Sequence, residues 1–294
     1  MSFPAADRES KLLRWFRDRG SALVGYSGGV DSAYLACVAL EALGADRMLA
    51  VIGRSPSYPK EQWERARTLA MQFGVPVFEV QTNELQDPRY VANPSNRCYF
   101  CKSELWSHLV PIARDRGLAV VVDGTNADDL KDHRPGRRAA DEQGVYSPLA
   151  DLGFSKEEIR EGSRERRIPT WREPSSPCLS SRLPYGTEVT PLRLAKVEQA
   201  ERRLRAIGIA GDLRVRYYGA TARVELAVPE LARWRTAAGR AAIYEAVVGA
   251  GFGHAELDLR GFRTGSLNGS DQPTLLESLG PPLQEWGPSV GKAV

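Results

Sequence analysis

The sequence has no long hydrophobic run. No stretch approaches the roughly eighteen apolar residues of a membrane-spanning helix. The opening MSFPAADRESKLLRWF is polar and charged, whereas a secretory signal peptide has an apolar core. From these absences we expect a cytoplasmic protein with no membrane partner.

Neither sign of charge dominates. The 294 residues include 40 basic and 37 acidic side chains, a net charge of +3, and this near balance argues against a broad nucleic-acid-binding surface. We therefore expect no nucleic-acid partner. With 42% hydrophobic residues, the chain has the composition of a globular protein with room for one large domain and one small domain.

Two familiar motifs are also absent. The sequence contains no G-x-x-x-x-G-K-[ST] segment, which excludes a Walker-type phosphate loop with its lysine. It has only four cysteines, which in a cytoplasmic chain of this length do not make a disulfide framework. Cysteines that cluster therefore indicate metal binding or chemistry.

The chain does contain an alternation of short apolar runs and amphipathic stretches. The apolar runs cover residues 21–26, 48–53, 75–80 and 118–124, and they resemble strands that are buried on both faces. Helical patterns separate them. This order predicts an α/β fold with a doubly wound parallel sheet.

Further patterns divide the rest of the chain. A capping box of Ser155 and Glu158 predicts a helix, and we interpret the charged run RERR at 164–167 as its solvated end. The predicted domains are a nucleotide-binding domain at 1–183 and a small α+β domain at 184–265.

The small domain should contain two helices and three strands, and it is predicted to bind substrate or support oligomerisation. Its first helix should open at Thr190 and Pro191. The last segment, 266–294, is rich in Gly, Pro and Ser, and we expect a mostly disordered tail.

A glycine loop, SGGVDS, follows the first predicted strand and opens the next helix. Gly28 and Gly29 let the backbone approach an anion, and the helix N-terminus adds partial positive charge. Ser27 and Ser32 can donate hydroxyl hydrogen bonds. Asp31 is a carboxylate beside phosphates, which indicates an intervening Mg²⁺.

This loop resembles the signature of the PP-loop ATP pyrophosphatases, which have an adenine nucleotide alpha hydrolase-like fold. The resemblance implies cleavage of ATP to AMP and pyrophosphate, with adenylation of a substrate oxygen. Such a loop holds a departing pyrophosphate rather than a γ-phosphate in transfer, which explains why it lacks the lysine of a Walker-type loop. In the same superfamily, the stretch of Gly53 to Ser55 commonly contacts adenine.

The segment DGTNADDLKDHRPG is a second match to that superfamily. Gly124, Thr125 and Asn126 follow a buried strand, so they should lie at the carboxyl edge of the sheet beside the first loop. Asp128 and Asp129 could orient the nucleotide or bind metal. An Asx-type turn that caps a helix is the alternative interpretation.

Three of the four cysteines could act together. Cys98 and Cys101 form a C-x-x-C at the apparent start of a helix, where a thiolate is stabilised. Cys178 lies in a proline-flanked loop, and Cys37 lies on an apolar helix face as a core residue.

A zinc site would need a fourth ligand, and the candidates are the three histidines, His108, His133 and His254. A redox dithiol lacks thioredoxin-like surroundings. A 4Fe-4S cluster on three thiolates leaves one iron open for chemistry, and we favour this interpretation.

Several segments together resemble the LarE family of ATP-dependent sulfurtransferases, from about Ser10 to Ser266. They are NRCYFCK, DGTNADDLKDHRPG, PCLSSRLPYG, LRVRYYG with ARVEL, and LDLRGFRTGS. The resemblance implies adenylation of pyridinium-3,5-biscarboxylic acid mononucleotide and its conversion to a thiocarboxylate, in nickel-pincer cofactor biosynthesis. It also implies a homo-oligomer, a hexamer in this family. A sulfide donor is a possible further partner.

In some members the cysteine at the Cys178 position is a sacrificial sulfur donor. Members with all three cysteines instead bind a 4Fe-4S cluster, and this chain keeps all three. Ser181 and Arg182 follow Cys178 closely enough to hold substrate at the sulfur. Together with Cys178 and Asp31 they are the expected catalytic residues.

The substrate carries a phosphate and carboxylates, so it requires an arginine-lined pocket. Arg214 and Arg216 alternate on a predicted strand and should project to the same face. Glu201, Glu225 and Arg260 match charged pocket positions of the family.

Three other functions fit part of the pattern. A PP-loop tRNA thiolase also combines adenylation with three cysteines, but it would need a broad basic surface. A non-catalytic iron-sulfur carrier could bind ATP without turnover. An amide-forming ligase similar to NAD synthetase would leave the cysteines without a role.

Overall fold

The computed structural model describes residues 4–131, 135–174, 177–263, 267 and 275–280. The chain divides into two units. The first contains Met1–Ser180 and Tyr185–Pro191, and the second contains Ser181–Pro184 and Leu192–Val294.

Four parallel strands form the centre of the first unit. They are β1 (Ala22–Gly25), β2 (Met48–Arg54), β3 (Val77–Gln81) and β4 (Val120–Val122). Their order in the sheet is β3-β2-β1-β4, so the chain winds outward from β1 in both directions. The predicted α/β fold with a doubly wound parallel sheet is confirmed.

Helices cover both faces of this sheet. They are α1 (Pro4–Arg19), α2 (Val30–Leu43), α3 (Lys60–Gln72), α4 (Pro88–Val91), α5 (Arg97–Asp115), α6 (Pro135–Glu142), α7 (Pro148–Asp151) and α8 (Lys156–Glu165). On β1, Leu23 packs in the cluster that contains Trp106 of α5, whereas Val24 packs in the cluster of Leu35 of α2. Both faces are buried, which explains why the strand sequences lack polar alternation.

The end of α8 is largely solvated, as interpreted, because Arg164, Glu165 and Arg167 are exposed. Arg166 differs, since its side chain is only 20% exposed. It forms ion pairs with Glu9 of α1 at 2.8 Å and with Glu41 at 2.7 Å, which hold the guanidinium in a half-buried position.

The second unit contains a mixed sheet and three helices. Its elements are α9 (Pro191–Ala206), β5 (Leu213–Tyr218), β6 (Thr221–Leu226), α10 (Val228–Trp234), α11 (Ala237–Val248), β7 (His254–Asp258) and β8 (Leu276–Leu279). The sheet order is β5-β6-β7-β8, with antiparallel pairs at both edges and a parallel pair in the middle.

Two details of this unit differ from the sequence prediction. The single helix expected after β6 is two helices, because Thr236 caps a new one by accepting a hydrogen bond from the backbone of Gly239. The predicted disordered tail contains β8, which pairs with β7 and buries Leu279. Residues 266, 268–274 and 281–294 of that tail lie outside the described residues.

The helices that the structure describes are short or polar. None of them combines the length and the apolar character needed to cross a membrane. Helix α5, with 19 residues, carries charged side chains at both ends.

Candidate active site

The glycine loop closes on itself between β1 and α2. The Ser32 hydroxyl accepts a hydrogen bond from the backbone N–H of Ser27 at 3.1 Å and donates one to the carbonyl oxygen of Gly29 at 3.2 Å. Gly28 has a φ of +67°, and a Cβ there would lie 2.3 Å from the Cβ of Ala66. The loop thus requires glycine at position 28, and it leads into the positive end of α2.

The turn after β4 packs directly on this loop. A Cβ on Gly124 would lie 3.0 Å from the backbone nitrogen of Ser32. The Asn126 side chain donates a hydrogen bond to the Asp31 carboxylate at 3.3 Å. The Asn126 amide oxygen also accepts hydrogen bonds from the backbone N–H groups of Asp128 and Asp129. These contacts form the Asx-type turn that was the alternative interpretation, and the same turn adjoins Asp31.

A lysine that the sequence reasoning missed lies at the same place. Lys156 Nζ is 2.5 Å from Asp31 Oδ2, and the backbone N–H of Lys156 donates to Asp128 at 2.8 Å. Ser155 and Glu158 form the predicted capping box at the start of α8. Lys156 is the first residue after the capping Ser155. A basic residue at the start of a predicted helix was the sequence signal that could have identified it.

Beyond β2, a chain of hydroxyl groups links the predicted adenine-binding stretch to a buried acid. Ser55 and Ser57 hydroxyl oxygens are 2.7 Å apart, and Ser57 donates a hydrogen bond to Glu84 Oε1 at 2.8 Å. Glu84 is buried, and its Oε2 has no hydrogen-bond partner in the described part of the chain. At Gly53, a Cβ would lie 2.6 Å from a Leu105 methyl carbon, so the backbone there is closely packed.

Three cysteine sulfurs share one neighbourhood of the first unit. Cys98 is exposed as a residue, but desolvation around its thiol raises the pKa of that group, and the charge of Cys178 raises it further. Burial also raises the pKa of Cys101 well above its usual value, followed by the charges of Glu84 and Cys178. Desolvation and the neighbouring negative charges thus raise the pKa of both thiols, and they oppose the stabilisation that the helix N-terminus gives a thiolate.

A buried polar shell holds the Cys178 loop. Arg97 donates hydrogen bonds to the Asn93 side chain at 2.5 Å and to the carbonyl oxygen of Ser180 at 2.9 Å. Tyr90 and Ser180 hydroxyl oxygens are 2.7 Å apart. Burial lowers the pKa of Arg97, but the neighbouring Cys178 and Cys98 thiols outweigh it, and the net pKa is raised. The sequence reasoning missed both Arg97 and Tyr90.

These cysteines do not form a preassembled site for a single ion. Across residues 4–131, 135–174, 177–263 and 275–280, no group of three or more His, Cys, Asp or Glu side chains is placed to hold one. His108 is paired with Glu104, and His254 lies in the second unit beside Ser278. His133 lies outside the described residues. Cys37 packs against the core as predicted, and burial raises its pKa to about 11.

In the second unit, two arginines form buried ion pairs. Arg182 contacts both carboxylate oxygens of Glu201, at 3.0 and 3.1 Å, and its side chain is 2% exposed. Arg216 on β5 pairs with Glu225 on β6 at 2.8 Å and donates to the Ser181 carbonyl oxygen at 3.0 Å. These residues are therefore interior ion pairs rather than solvated surface charges.

A third arginine belongs to the same cluster. Burial lowers the pKa of Arg214 to about 10, and the positive charge of Arg182 contributes to the shift. Arg260 is paired with Asp258 at 3.0 Å and interacts electrostatically with Glu225. The structure thus brings together all seven residues predicted to contact substrate in this unit, namely Ser181, Arg182, Glu201, Arg214, Arg216, Glu225 and Arg260.

Comparisons with known proteins show what the chain is similar to. The NAD synthase family matches residues 17–92, which include the glycine loop. The protein slr1717 of Synechocystis sp. is 43% identical over 88% of this chain and 97% of its own length. Among solved structures, NMN synthetase from Francisella tularensis covers 60% of this chain and 76% of that chain with 16% identity. Its TM-score is 0.49, too low to support any inference.

A further relative decides the family. Pyridinium-3,5-bisthiocarboxylic acid mononucleotide synthase from Lactiplantibacillus plantarum is 33% identical over 90% of this chain and 94% of that protein. Identity at this level over nearly the whole of both chains confirms the resemblance stated from the motifs. The chain therefore belongs to the LarE family of ATP-dependent sulfurtransferases.

Proposed function

We propose that the protein adenylates a carboxylate of pyridinium-3,5-biscarboxylic acid mononucleotide and then converts it to a thiocarboxylate. The observation that carries the proposal is the near full-length similarity to the Lactiplantibacillus plantarum synthase. The glycine loop and the 124–129 turn contact each other at Asp31. This contact supports the proposal, because both segments are expected to bind the same ATP molecule.

The reaction balances in two steps. A substrate carboxylate oxygen attacks the α-phosphorus of MgATP, and pyrophosphate leaves. A hydrosulfide ion then attacks the acyl carbon, AMP leaves, and loss of the sulfur-bound proton gives the thiocarboxylate. Adenylation is needed because a carboxylate is a poor electrophile, and donors aimed at the departing charge lower the barrier.

In this proposal the nucleotide is held by residues of the first unit. Ser27, Gly28, Gly29 and Ser32 bind phosphate, and Asp31 holds the Mg²⁺ that arrives with ATP. Gly53 and Ser55 contact adenine. Gly124, Thr125, Asn126 and Asp128 complete the site from the neighbouring turn.

The charged cluster of the second unit is proposed to bind the substrate anions. Arg214 and Arg216 face the phosphate and carboxylate groups, while Ser181 and Arg182 orient the reacting carboxyl group. Glu201, Glu225 and Arg260 hold these arginines in place. Partly desolvated guanidinium groups bind such anions strongly because water competes less.

For the sulfur, we propose a 4Fe-4S cluster held by Cys98, Cys101 and Cys178. Each pair of these thiols interacts electrostatically, yet they do not form a group placed to hold a single ion. The proposal rests on the family resemblance and on the electrostatic contact among the three thiols, and Arg97 adds positive charge beside two of the sulfurs. When bound, the cluster would supply sulfide from the iron that has no protein thiolate.

The test is anaerobic incubation of the purified protein with MgATP, sulfide and the pyridinium substrate, followed by mass spectrometry of both product and protein. We expect thiocarboxylate, AMP and pyrophosphate, with the protein mass unchanged. Loss of one hydrogen sulfide from Cys178 would instead establish the sacrificial route. Nucleotide binding without pyrophosphate release would establish a carrier.

Two further parts of the proposal have their own tests. A salt-sensitive gel shift with bulk tRNA would favour a tRNA thiolase over the small substrate, whereas we expect no shift. We also propose a homo-oligomer, on the family resemblance, and light scattering after gel filtration measures its mass.

A further inference from the structure

The first peptide of the glycine loop is anchored by two side chains from the neighbouring α3 region. The carbonyl oxygen of Ser27 accepts a hydrogen bond from the Tyr58 hydroxyl at 2.8 Å and another from the Gln62 side-chain amide at 3.3 Å. We infer that Tyr58 and Gln62 are positioning residues of the ATP site, which hold the Ser27–Gly28 peptide so that its N–H group faces the departing pyrophosphate. This inference deepens the proposed ATP-dependent function and rests on it.

The geometry of a single peptide unit links these two side chains to the phosphates. The described residues contain no cis peptide bond, and in a planar trans peptide the C=O and N–H groups point in opposite directions. Two donors that hold the Ser27 carbonyl oxygen on the side of α3 therefore direct the Gly28 N–H to the other side. Among the described residues, that N–H donates no hydrogen bond to another backbone group, so it is available to an anion.

The glycine in this loop makes such an anchor necessary. Gly28 has a φ of +67°, but glycine adopts positive and negative φ about equally well, so the Ser27–Gly28 peptide could rotate at little energetic cost. A rotated peptide would present its carbonyl oxygen to the phosphates in place of its N–H, and it would repel them. The hydrogen bonds from Tyr58 and Gln62 therefore select the orientation that binds anions.

Both donors are suited to this role. Gln62 is buried, and it lies one helical turn before Ala66, the residue of α3 that packs against Gly28. Burial raises the pKa of Tyr58, so its hydroxyl keeps its proton and remains a donor. A carbonyl oxygen has two lone pairs and can accept both hydrogen bonds at once. A purely structural role would stabilise the loop but would not distinguish pyrophosphate from AMP, and this difference can be measured.

The experiment compares Tyr58→Phe, Gln62→Met, the double variant and the control Thr68→Val, whose hydroxyl donates to the Glu64 carbonyl oxygen at an exposed position of α3. Calorimetry measures binding of MgATP, Mg-pyrophosphate and AMP to the full chain. We expect each single variant to weaken MgATP and Mg-pyrophosphate binding by about twofold to tenfold. The double variant should lose more than the product of the two single losses, because the carbonyl oxygen then has neither anchor. AMP affinity should be unchanged, since AMP lacks the β- and γ-phosphates, and the control should bind all three ligands normally.

Two results would overturn the inference and leave the proposed function intact. One is a pyrophosphate affinity of the double variant equal to that of the unmodified protein. The other is an equal loss of AMP and pyrophosphate affinity in the single variants, which would show a general distortion of the site. Thermal melting checks that each variant is folded, and if the double variant is not, unchanged pyrophosphate affinity in both single variants has the same meaning. Failure of the unmodified protein to bind MgATP would overturn the proposed function and this inference together.

Discussion

Arg97 donates a hydrogen bond of 2.9 Å to the carbonyl oxygen of Ser180, although the two residues are 83 positions apart in the chain. Ser180 follows Cys178 by two residues, and Arg97 directly precedes Cys98. A single buried guanidinium thus connects the two segments that carry the cysteines.

We expect Arg97→Met to lower the free energy of unfolding by about 2 kcal/mol, because a buried charged donor and its acceptors lose their partners. The Cys178 loop should also become more mobile. Urea denaturation measures the stability, and iron content after anaerobic reconstitution measures the effect on the cysteines. Arg114→Met, at an exposed position of the same helix, is the control and should change neither quantity.

Arg214 and Arg216 are equally buried on β5, yet they should respond differently to substitution. Arg216 is paired with Glu225, so Arg216→Met leaves a buried carboxylate without its partner and should cost about 3 kcal/mol of stability. Arg214 has a pKa lowered to about 10 by burial and by Arg182, and it donates a hydrogen bond to the Leu213 carbonyl oxygen, so Arg214→Met should cost clearly less stability than Arg216→Met. Both variants should lose substrate affinity.

Chemical denaturation of these two variants at pH 7, without substrate, makes the comparison. A loss of stability in Arg214→Met as large as that in Arg216→Met would contradict the electrostatic explanation. Substrate affinity is measured separately by calorimetry, since the stability result does not depend on it.

Two adjacent glycines of the loop provide a matched steric test. Gly28→Ala places a methyl group 2.3 Å from the Cβ of Ala66 at a φ of +67°, so we expect a loss of about 1 to 3 kcal/mol and weaker MgATP binding. Gly29→Ala places its methyl group 3.6 Å from the Ser27 hydroxyl oxygen, at a φ of −77°, and should be tolerated. Thermal melting and nucleotide calorimetry report both effects.

A second substitution separates the two causes at Gly28. Adding Ala66→Gly to Gly28→Ala removes the closest contact, at 2.3 Å, but leaves the approach of 2.7 Å to the Cα of residue 66 and the unfavourable φ. Partial recovery of the melting temperature is expected. No recovery would show that the backbone contact and the backbone conformation, rather than the Ala66 methyl group, account for the loss.

The ion pair between Glu9 and Arg166 should make stability depend on pH. Burial raises the pKa of Glu9, but the hydrogen bonds from Arg166 and Tyr34 outweigh it, and the net pKa lies below the ordinary value of 4.5. A carboxyl group with a lowered pKa in the folded state stabilises the protein above its unfolded pKa. That contribution is lost as the pH falls through the folded value.

We therefore expect Glu9→Gln to be less stable than the unmodified protein at pH 7, by about 1 to 2 kcal/mol. The difference should shrink as the pH falls below 4.5. Urea denaturation between pH 7 and pH 3 measures it. A difference that stays constant over this range would show that the carboxylate charge is not responsible.

Much of the first unit was predictable because its signals are local. Each apolar run is short and lacks polar alternation, which identifies a strand with two buried faces, and SGGVDS follows the first of them directly. The start of α9 at Pro191 and the capping box at Ser155 also depend on neighbouring residues only. The break between α10 and α11 was missed because a single Thr236 cap interrupts an otherwise continuous helical pattern.

The residues that the sequence did not reveal are those whose partners lie far along the chain. Arg166 looked like a solvated charge because Glu9, its partner, belongs to α1. Strand β8 has few apolar residues, and it forms because β7 offers it an open edge. Lys156 carries no motif of its own, and only the return of α8 to the glycine loop places it against Asp31.

The sequence by itself determined the alternation of buried strands and helices in the first unit, the position of the phosphate loop and the membership of the family, since these depend on local pattern and on similarity to known chains. Only the tertiary structure decided which charges meet, among them Arg97 with the Cys178 loop and Lys156 with Asp31. The physical reason is that an ion pair depends on distance in space. Residues more than eighty positions apart leave no local trace of the packing that brings them together.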